Sequence, residues 1–311
     1  MNRNRTVLVL VGPTASGKTS LAIECARQMG GEIISADSRQ LYRLLTIGTA
    51  KPSPEEQRQA VHHMIDVFDP NEPCSAGMYA NKAHQIIEDI FARNRIPVIA
   101  GGSGMYISAL VDGLFPGKYK DERIRSQLKE EANIHGAQYL YEQLLNADPV
   151  TAKRIHPNDL FRIVRALEVF RLTGRSISEI REQETRKASF QSIFIGLNWA
   201  RSVLYQRIDR RVDRMIEEGL VEEVRTLLEK GYDEKLNSLD TLGYKEVIQY
   251  LNGSIDKETM VALIQKNTRN FAKRQLTWFR RDQRIHWFDL HETVDWTELA
   301  LKIVRLFSKQ P

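Results

Sequence analysis

The first 115 residues alternate short, mostly apolar runs with longer stretches in which apolar residues recur every three or four positions. The runs at Val7–Val11, Glu32–Ala36 and Ile96–Ala100 predict strands, and the longer periodicity predicts helices over 20–29 and about 76–94. Strands that alternate with helices along the chain are typical of a parallel sheet that helices cover on both faces. The alternation therefore predicts an α/β fold that binds ligands at the carboxyl ends of its strands.

The pattern changes after residue 115. Residues 116–189 are charged and helix-like without a strand pattern, and a strand pattern returns at Ser192–Leu197. A last strand is predicted near Ile285–Phe288, and helices are predicted over 201–217, 219–230, 241–251 and 257–283. We therefore predict a P-loop NTPase-like parallel core made of residues 1–115 and 190–311, with an all-helical insertion domain at 116–189.

The segment between the first strand and the first helix fits the phosphate-loop pattern G-x-x-x-x-G-K-[ST]. Its glycines let backbone N–H groups turn toward an anion, Lys18 adds a positive charge, and Thr19 can hold a magnesium ion. We predict that a di- or triphosphate is bound by this loop, which consists of Gly12, Pro13, Thr14, Ala15, Ser16, Gly17, Lys18 and Thr19.

Phosphate-loop enzymes normally carry a carboxylate at the end of a neighbouring strand. Here the strand at Ile96–Ala100 runs into the glycine turn Gly101–Gly104, which has no acidic residue. The candidate carboxylate is instead Asp37, at the end of the second predicted strand. Its position is equally typical of an N-cap for a helix at 39–44, so both interpretations stand at this point.

Composition narrows the class of protein. The chain of 311 residues is 42% hydrophobic, and no apolar run reaches the roughly 18 residues that a membrane helix needs. Two cysteines are too few for a disulfide framework or a zinc cluster, so we expect a cytoplasmic protein that does not bind membranes. The net charge is +5, yet residues 1–115 hold 11 basic and 11 acidic side chains. The basic surplus lies in the later parts of the chain and favours a polyanionic partner there.

Further motifs follow the phosphate loop in a fixed order. D-S-x-Q-x-Y-R begins at Asp37, I-G-T-A-K-P begins at Ile47, and a helix with Lys-Arg-Gln-x-Thr-Trp begins at Lys273. Between and around them lie His62–Asp66, Pro97–Tyr106, Arg154–Asp159, Arg162–Phe170 and Leu242–Glu246. With these motifs the chain resembles the tRNA dimethylallyltransferase family over nearly its whole length.

That resemblance implies the transfer of a dimethylallyl group from dimethylallyl diphosphate to N6 of the adenosine 3′ of the anticodon, in tRNAs that read codons beginning with U. It implies Asp37 as the acceptor of the N6 proton. Lys18 and Thr19, with Mg²⁺ as cofactor, would stabilise the diphosphate. Arg211 is the first choice for a diphosphate-binding arginine and Arg207 the second. Both lie on one helical face with Arg214, a pattern equally typical of a solvated face paired with Asp209 and Asp213.

The resemblance also implies contacts with a tRNA anticodon stem-loop, partly through the insertion domain, by a protein expected to be a monomer. The residues at the matching positions are Asp37, Ser38, Arg39, Gln40, Ser103, Arg125, Phe161, Arg162, Arg165, Asp240, Gly243, Tyr244, Lys245, Lys273 and Arg274. Departures from common family residues occur at Ser103, Phe161 and Lys245. On the helix from Lys266 to Arg284, the heptad spacing of Phe271 and Trp278 favours packing of both in the core over stacking on bases.

Two alternatives remain at this stage. A phosphate-loop kinase for a small molecule or nucleotide would use Gly12–Thr19 and Asp37 equally well, but it does not account for the basic surplus or the Lys-Arg-Gln-Leu-Thr-Trp helix. A noncatalytic RNA-binding module could have kept the phosphate loop as a relic. Intact Lys18, Thr19 and Asp37 argue against such a relic.

Overall fold

The computed structural model describes residues 5–113, 119–184, 188–291 and 293–308. Within these ranges, six strands form one sheet in which every neighbouring pair is parallel, in the order β3-β2-β4-β1-β5-β6. The strands are β1 Thr6–Val11, β2 Gly31–Ser35, β3 His62–His63, β4 Ile96–Gly101, β5 Gln191–Trp199 and β6 Ile285–Leu290. The predicted parallel α/β sheet is thereby confirmed.

Fourteen helices lie in the same described ranges. They are α1 Lys18–Met29, α2 Pro54–Gln59, α3 Ala76–Ala92, α4 Gly104–Val111, α5 Glu122–His135, α6 Ala137–Ala147, α7 Pro149–Ala152, α8 Leu160–Thr173, α9 Ile177–Glu184, α10 Arg201–Glu217, α11 Leu220–Glu229, α12 Tyr244–Leu251, α13 Lys257–Phe279 and α14 Trp296–Ser308. None of the described helices is long and apolar enough to cross a membrane.

The central strand β1 explains the uninterrupted apolar runs. Val7 to Val11 have no exposed surface, since β4 and β5 flank the strand and helices cover both faces. Leu8 lies opposite Val98 on one side and Ile193 on the other. A parallel strand buried on both faces needs apolar residues at consecutive positions, because neither face contacts water. Its carboxyl end leads directly into the phosphate loop.

The chain forms two compact units, one of residues 1–107 with 189–311 and the other of residues 108–188. The first contains the sheet. In the described part of the second there is no strand, as the fold class predicts, and α5 to α9 pack around their own apolar core, which includes Leu128, Leu140, Leu144, Ile163 and Leu167. We propose that this unit is the insertion that the sequence predicts at 116–189.

Several boundaries differ from the predicted ones for local reasons. Helix α12 begins at Tyr244, not at 241, because Gly243 has a φ of 88° and its N–H donates to the Glu246 carboxylate. Helix α13 ends at Phe279 and not at 283. Residues 39–44 form turns, so the helix considered there is absent. The sequence patterns also missed β3, α2, α4 and α14.

Candidate active site

The phosphate loop turns sharply at residues that adopt left-handed backbone conformations. The φ angles are 154° at Gly12, 61° at Ala15 and 93° at Gly17. A Cβ atom on Gly17 would overlap the indole of Trp296, so only glycine fits beneath that ring. Helix α1 begins at the next residue, which places its N-terminus at the loop. Unpaired N–H groups and the helix dipole make such an N-terminus favourable for a phosphate.

Lys18 is folded back against this loop. Its Nζ donates to the carbonyl oxygen of Pro13 at 2.6 Å and to Ser16 Oγ at 3.4 Å. Burial, and then the charge of Arg211, lowers the pKa of Lys18 to about 7, while Asp37 acts in the opposite direction. An anion in the loop would favour the protonated amine, so Lys18 is suited to bind phosphate oxygens.

Two arginines of α10 have different surroundings. Arg207 donates from Nε to the carbonyl oxygen of Ala15 at 2.9 Å, and its guanidinium lies 4.3 Å from the ring centroid of Trp199. The indole Nε1 of Trp199 in turn donates to the carbonyl oxygen of Ser16 at 3.0 Å. Arg211 instead lines the cavity in front of the loop. Burial, with Arg207 and Arg214 nearby, lowers the pKa of Arg211.

The solvated-face interpretation of α10 predicted ion pairs within the helix. Among the described residues, Asp209 instead pairs with Arg269 of α13 at 2.5 Å, and Asp213 accepts from Gln265 of α13 at 2.9 Å. Arg211 lines the cavity in front of the phosphate loop, so its helix face is turned toward that cavity. The predicted intrahelical pairing with Asp209 and Asp213 is wrong.

Asp37 lies at the carboxyl end of β2. Its Oδ1 accepts from the backbone N–H of Arg39 at 2.8 Å and of Gln40 at 3.4 Å. The capping interpretation is thus partly confirmed, although the carboxylate caps a turn and not a helix. Asp37 also lines the cavity in front of the phosphate loop, so capping does not remove it from the site.

Each glycine at the end of β4 and in the turn that follows lies against a particular neighbour. An added Cβ would overlap the carbonyl of Ala36 at Gly101, the amide of Gln275 at Gly102 and the indole of Trp278 at Gly104. Gln275 bridges this turn and the phosphate loop: its Nε2 donates to the carbonyl oxygen of Gly102 at 3.0 Å, and its Oε1 accepts from Thr14 N at 2.8 Å. The Lys-Arg-Gln-x-Thr-Trp motif therefore supports the phosphate site directly.

The I-G-T-A-K-P segment forms the opposite wall. The carboxylate of Glu223 accepts from the backbone N–H groups of Thr46 at 3.0 Å, Ile47 at 2.8 Å and Gly48 at 3.2 Å, and from Tyr244 OH at 2.6 Å. Tyr244 has no exposed surface, and burial raises its pKa. No sequence pattern indicated Glu223, because it contacts this segment only through tertiary packing.

Lys51 joins the I-G-T-A-K-P segment to the motifs that contain Tyr42 and Asp66. Its Nζ donates to the carbonyl oxygen of Tyr42 at 2.9 Å and pairs with Asp66 at 2.6 Å, and its side chain is only 3% exposed. Gln40 adds hydrogen bonds from Nε2 to the carbonyl oxygens of Thr49 at 3.3 Å and Ala50 at 3.1 Å. Through these interactions, residues of three separate motifs pack together as one wall.

Two cavities open at this site, of about 490 Å³ and about 290 Å³. The larger is lined by Thr14 to Thr19 of the phosphate loop, and the smaller by most of the residues of the first unit that are predicted to contact tRNA. Those in the smaller cavity are Asp37, Ser38, Arg39, Ser103, Asp240, Gly243, Lys245 and Arg274. Seven residues line both cavities: Thr14, Asp37, Thr49, Ala50, Arg211, Met215 and Phe271.

The other residues predicted to contact tRNA lie in different parts of the structure. Lys273 is exposed on α13, Gln40 lines the larger cavity, and Tyr244 is buried beneath Gly48. In the second unit Phe161 is 85% exposed, and Arg162 is also exposed. Arg125 and Arg165 both pair with the buried carboxylate of Glu168, at 3.0 Å and 2.7 Å.

The predicted core positions of Phe271 and Trp278 are wrong. Phe271 is half-buried and lines both cavities, while Trp278 is 41% exposed and covers Gly104. A heptad spacing places two residues on one helix face but does not reveal whether that face meets a core or a cavity.

Comparisons with known proteins agree with this geometry. A sequence model of the IPP transferase family matches residues 40–282. A tRNA dimethylallyltransferase of Halothermothrix orenii is 44% identical over 305 residues, covering 97% of this chain and 93% of that relative. One from Thermotoga maritima is 50% identical over 285 residues, covering 91% and 92%.

Solved structures give the same result. A tRNA isopentenylpyrophosphate transferase from Bacillus halodurans is similar at a TM-score of 0.74 and 38% identity, over 98% of this chain and 96% of that one. A eukaryotic dimethylallyltransferase described as acting on tRNA has a TM-score of 0.84 and 28% identity, over 98% and 80%. The phosphate loop, the carboxylate at the end of β2 and these likenesses agree: the chain belongs to the IPP transferase family.

Proposed function

We propose that this protein transfers a dimethylallyl group from dimethylallyl diphosphate to N6 of the adenosine on the 3′ side of the anticodon, in tRNAs that read codons beginning with U. One observation carries the proposal. The phosphate-loop cavity and the second cavity meet at Asp37 and Arg211, so a donor and an acceptor could enter from different cavities and react where they meet. The target base must leave its stack to reach such a site.

The chemistry requires a proton acceptor and a stabilised leaving group. As the bond from N6 to C1 of the allyl group forms, the bond from C1 to the diphosphate oxygen breaks, and its electron pair leaves with the diphosphate. The exocyclic N6 is a poor nucleophile, so transfer of its proton to Asp37 assists the attack. Arg211, Lys18 and the loop N–H groups would stabilise the growing negative charge.

The residues in the larger cavity are suited to a magnesium ion. Thr19 lines this cavity and offers a hydroxyl oxygen, a hard ligand of the kind that Mg²⁺ prefers. In the described part of the chain no three His, Cys, Asp or Glu side chains gather to hold a metal ion without a substrate. We therefore propose that Thr19 binds Mg²⁺ together with the donor diphosphate, where the ion would add positive charge to the leaving group.

The basic residues around the second cavity support a polyanionic acceptor. Arg39, Lys245 and Arg274 line this cavity, and Lys273 is exposed directly before Arg274 on α13. Phosphate contacts of this kind would give an affinity for tRNA that falls as salt rises. We propose that Phe161 and Arg162 of the second unit add contacts to the same tRNA, since both are exposed.

The decisive experiment identifies the product. Unmodified tRNA with adenosine 3′ of the anticodon is incubated with protein, Mg²⁺ and either dimethylallyl diphosphate or ATP, and its nucleosides are examined by mass spectrometry. We expect an adenosine heavier by C5H8 only with the isoprenoid, and none when that adenosine is replaced. ATP turnover without a modified nucleoside would instead support the kinase alternative.

A further inference from the structure

The seven residues that line both cavities differ in chemistry. Thr14, Asp37, Thr49 and Arg211 carry polar groups, and Ala50 is small. Met215 and Phe271 are the two large apolar side chains of this set, and both are half-buried. The place where the cavities meet therefore has one apolar wall, which we call the Met215–Phe271 wall.

The helices that carry this wall also carry the polar part of the site. Met215 follows Arg211 by four residues on α10, and Phe271 precedes Gln275 by four residues on α13, so each pair shares a helix face. The Asp209–Arg269 and Asp213–Gln265 interactions join the two helices. The spacing of the wall is thus tied to the phosphate loop and to Arg211.

The guanidinium of Arg274 lies 5.8 Å from the ring centroid of Phe271 and helps to fix the orientation of that ring. A flexible wall would adapt to a longer hydrocarbon, whereas a packed one excludes it.

We propose that Met215 and Phe271 bind the five carbons of the donor and determine the length of isoprenoid that the enzyme transfers. This inference rests on the proposed function. In that reaction C1 must lie between the leaving diphosphate oxygen and N6, beside Arg211 and Asp37, so the carbons beyond C1 reach the residues that the cavities share. An apolar tail is best accommodated against apolar atoms, because burying the neighbouring carboxylate or guanidinium without a hydrogen bond is costly.

A ten-carbon geranyl group adds C5H8 beyond the dimethylallyl unit. With Met215 and Phe271 in place, the added carbons would be forced against the polar residues of the junction. Shortening either side chain would open room on the apolar side. The predicted effect is a change in the ratio of the two donors, and not merely a loss of rate.

The test is a competition between dimethylallyl and geranyl diphosphate on saturating tRNA, with products separated as adenosine plus C5H8 or plus C10H16. We expect Met215→Ala and Phe271→Ala each to raise the C10 to C5 product ratio about 10-fold or more, the size of effect that a methylene or more has in an apolar pocket. Met78→Ala is the matched control, because Met78 is exposed on α3 and lines neither cavity.

A second measurement covers variants that are too slow for product analysis. The ratio of the affinity for dimethylallyl diphosphate to the affinity for inorganic diphosphate measures the binding of the hydrocarbon alone. We expect this binding preference to fall about 10-fold in Met215→Ala and Phe271→Leu. Circular dichroism identifies the variants that fold. An unchanged product ratio and an unchanged binding preference in folded variants would overturn the inference. A wild-type protein that binds the isoprenoid but forms no C5 product would instead overturn the proposed function.

Discussion

The side-chain amide of Gln275 accepts a hydrogen bond from the backbone N–H of Thr14, 261 positions away in the sequence. The same amide donates to the carbonyl oxygen of Gly102, so one buried side chain sets the distance between the phosphate loop and the glycine turn. Both ends of the amide are used. Substitutions at this position therefore test how far the phosphate site depends on support from α13.

Gln275→Leu leaves the Thr14 N–H and the Gly102 carbonyl without their side-chain partner. We expect the free energy of unfolding to fall by about 1–3 kcal/mol, the usual cost of an unsatisfied buried polar group, and the KM for dimethylallyl diphosphate to rise. Urea denaturation and initial rates measure the two effects. Gln249→Leu on α12 is exposed, so its stability should stay within about 0.5 kcal/mol of wild type. Equal losses in both variants would contradict the support role.

Asp37 caps a turn and is the proposed base, and substitution can separate the two roles. Asn keeps an Oδ1 that can accept from the N–H groups of Arg39 and Gln40, whereas Ala loses this cap. We expect Asp37→Asn to slow single-turnover transfer by about 10²–10⁴-fold because an amide cannot accept the N6 proton, while stability and tRNA affinity stay near wild type. Asp37→Ala should be equally slow and also less stable. Rapid transfer by Asp37→Asn would exclude the carboxylate as the base.

The lowered pKa of Lys18 predicts a proton linked to donor binding. At about pH 8 an amine with a pKa near 7 is mostly neutral, and a nearby diphosphate raises that pKa, so binding should take up protons. Calorimetry of dimethylallyl diphosphate binding in buffers of different ionisation enthalpy measures the uptake. Lys18→Arg is the control, since its guanidinium is always charged and should remove the uptake. Equal uptake in both proteins would locate the proton elsewhere.

The same shift affects stability. The folded pKa of Lys18 lies at about 7 and the ordinary value is 10.5, so between these values the unfolded chain binds more protons than the folded one. Stability contributed by this group should therefore rise with pH across that range. Denaturation of wild type and Lys18→Met as a function of pH checks the sign. We expect the rise to be smaller in the variant.

Removal of Arg207 and removal of Arg211 should have different effects on the free energy of unfolding. Arg207→Ala loses a hydrogen bond to Ala15 and the contact with Trp199, so we expect a loss of about 1–2 kcal/mol in unfolding free energy. Arg211→Ala relieves a crowded positive charge and should leave stability unchanged or higher, while weakening donor binding about 10-fold or more. Thermal melts and donor titrations give both values. A stability loss confined to Arg211→Ala would reverse the two assignments.

The local parts of this structure follow directly from the sequence. Strand β1, the phosphate loop and α1 are adjacent in the chain, and their residues predict a buried strand, a phosphate loop and a following helix, although α1 begins at Lys18 and not at the predicted residue 20. Asp37 was found in the same way, at the end of a strand. In such cases a few consecutive residues contain all the necessary information.

Residues that act over long sequence separations could not be predicted in this way. Glu223 lies 175 positions or more from the backbone groups that it binds, and Trp296 packs on Gly17 from a helix that no pattern indicated. Tyr244 matched a tRNA-contact position, but its side chain is buried and its hydroxyl donates a hydrogen bond to Glu223. Phe271 was assigned to the core since helical periodicity cannot distinguish a core from the wall of a cavity.

The indole of Trp296 over Gly17 has a consequence for synthesis of the chain. Trp199, Gln275 and Trp296, which contact the phosphate loop, are synthesised long after the loop itself. Because domains tend to fold from the N-terminus during translation, the sheet can begin to assemble while the loop still lacks these three supports. The phosphate loop therefore reaches its final packing only after Trp296 has been made, later than every described strand of the sheet.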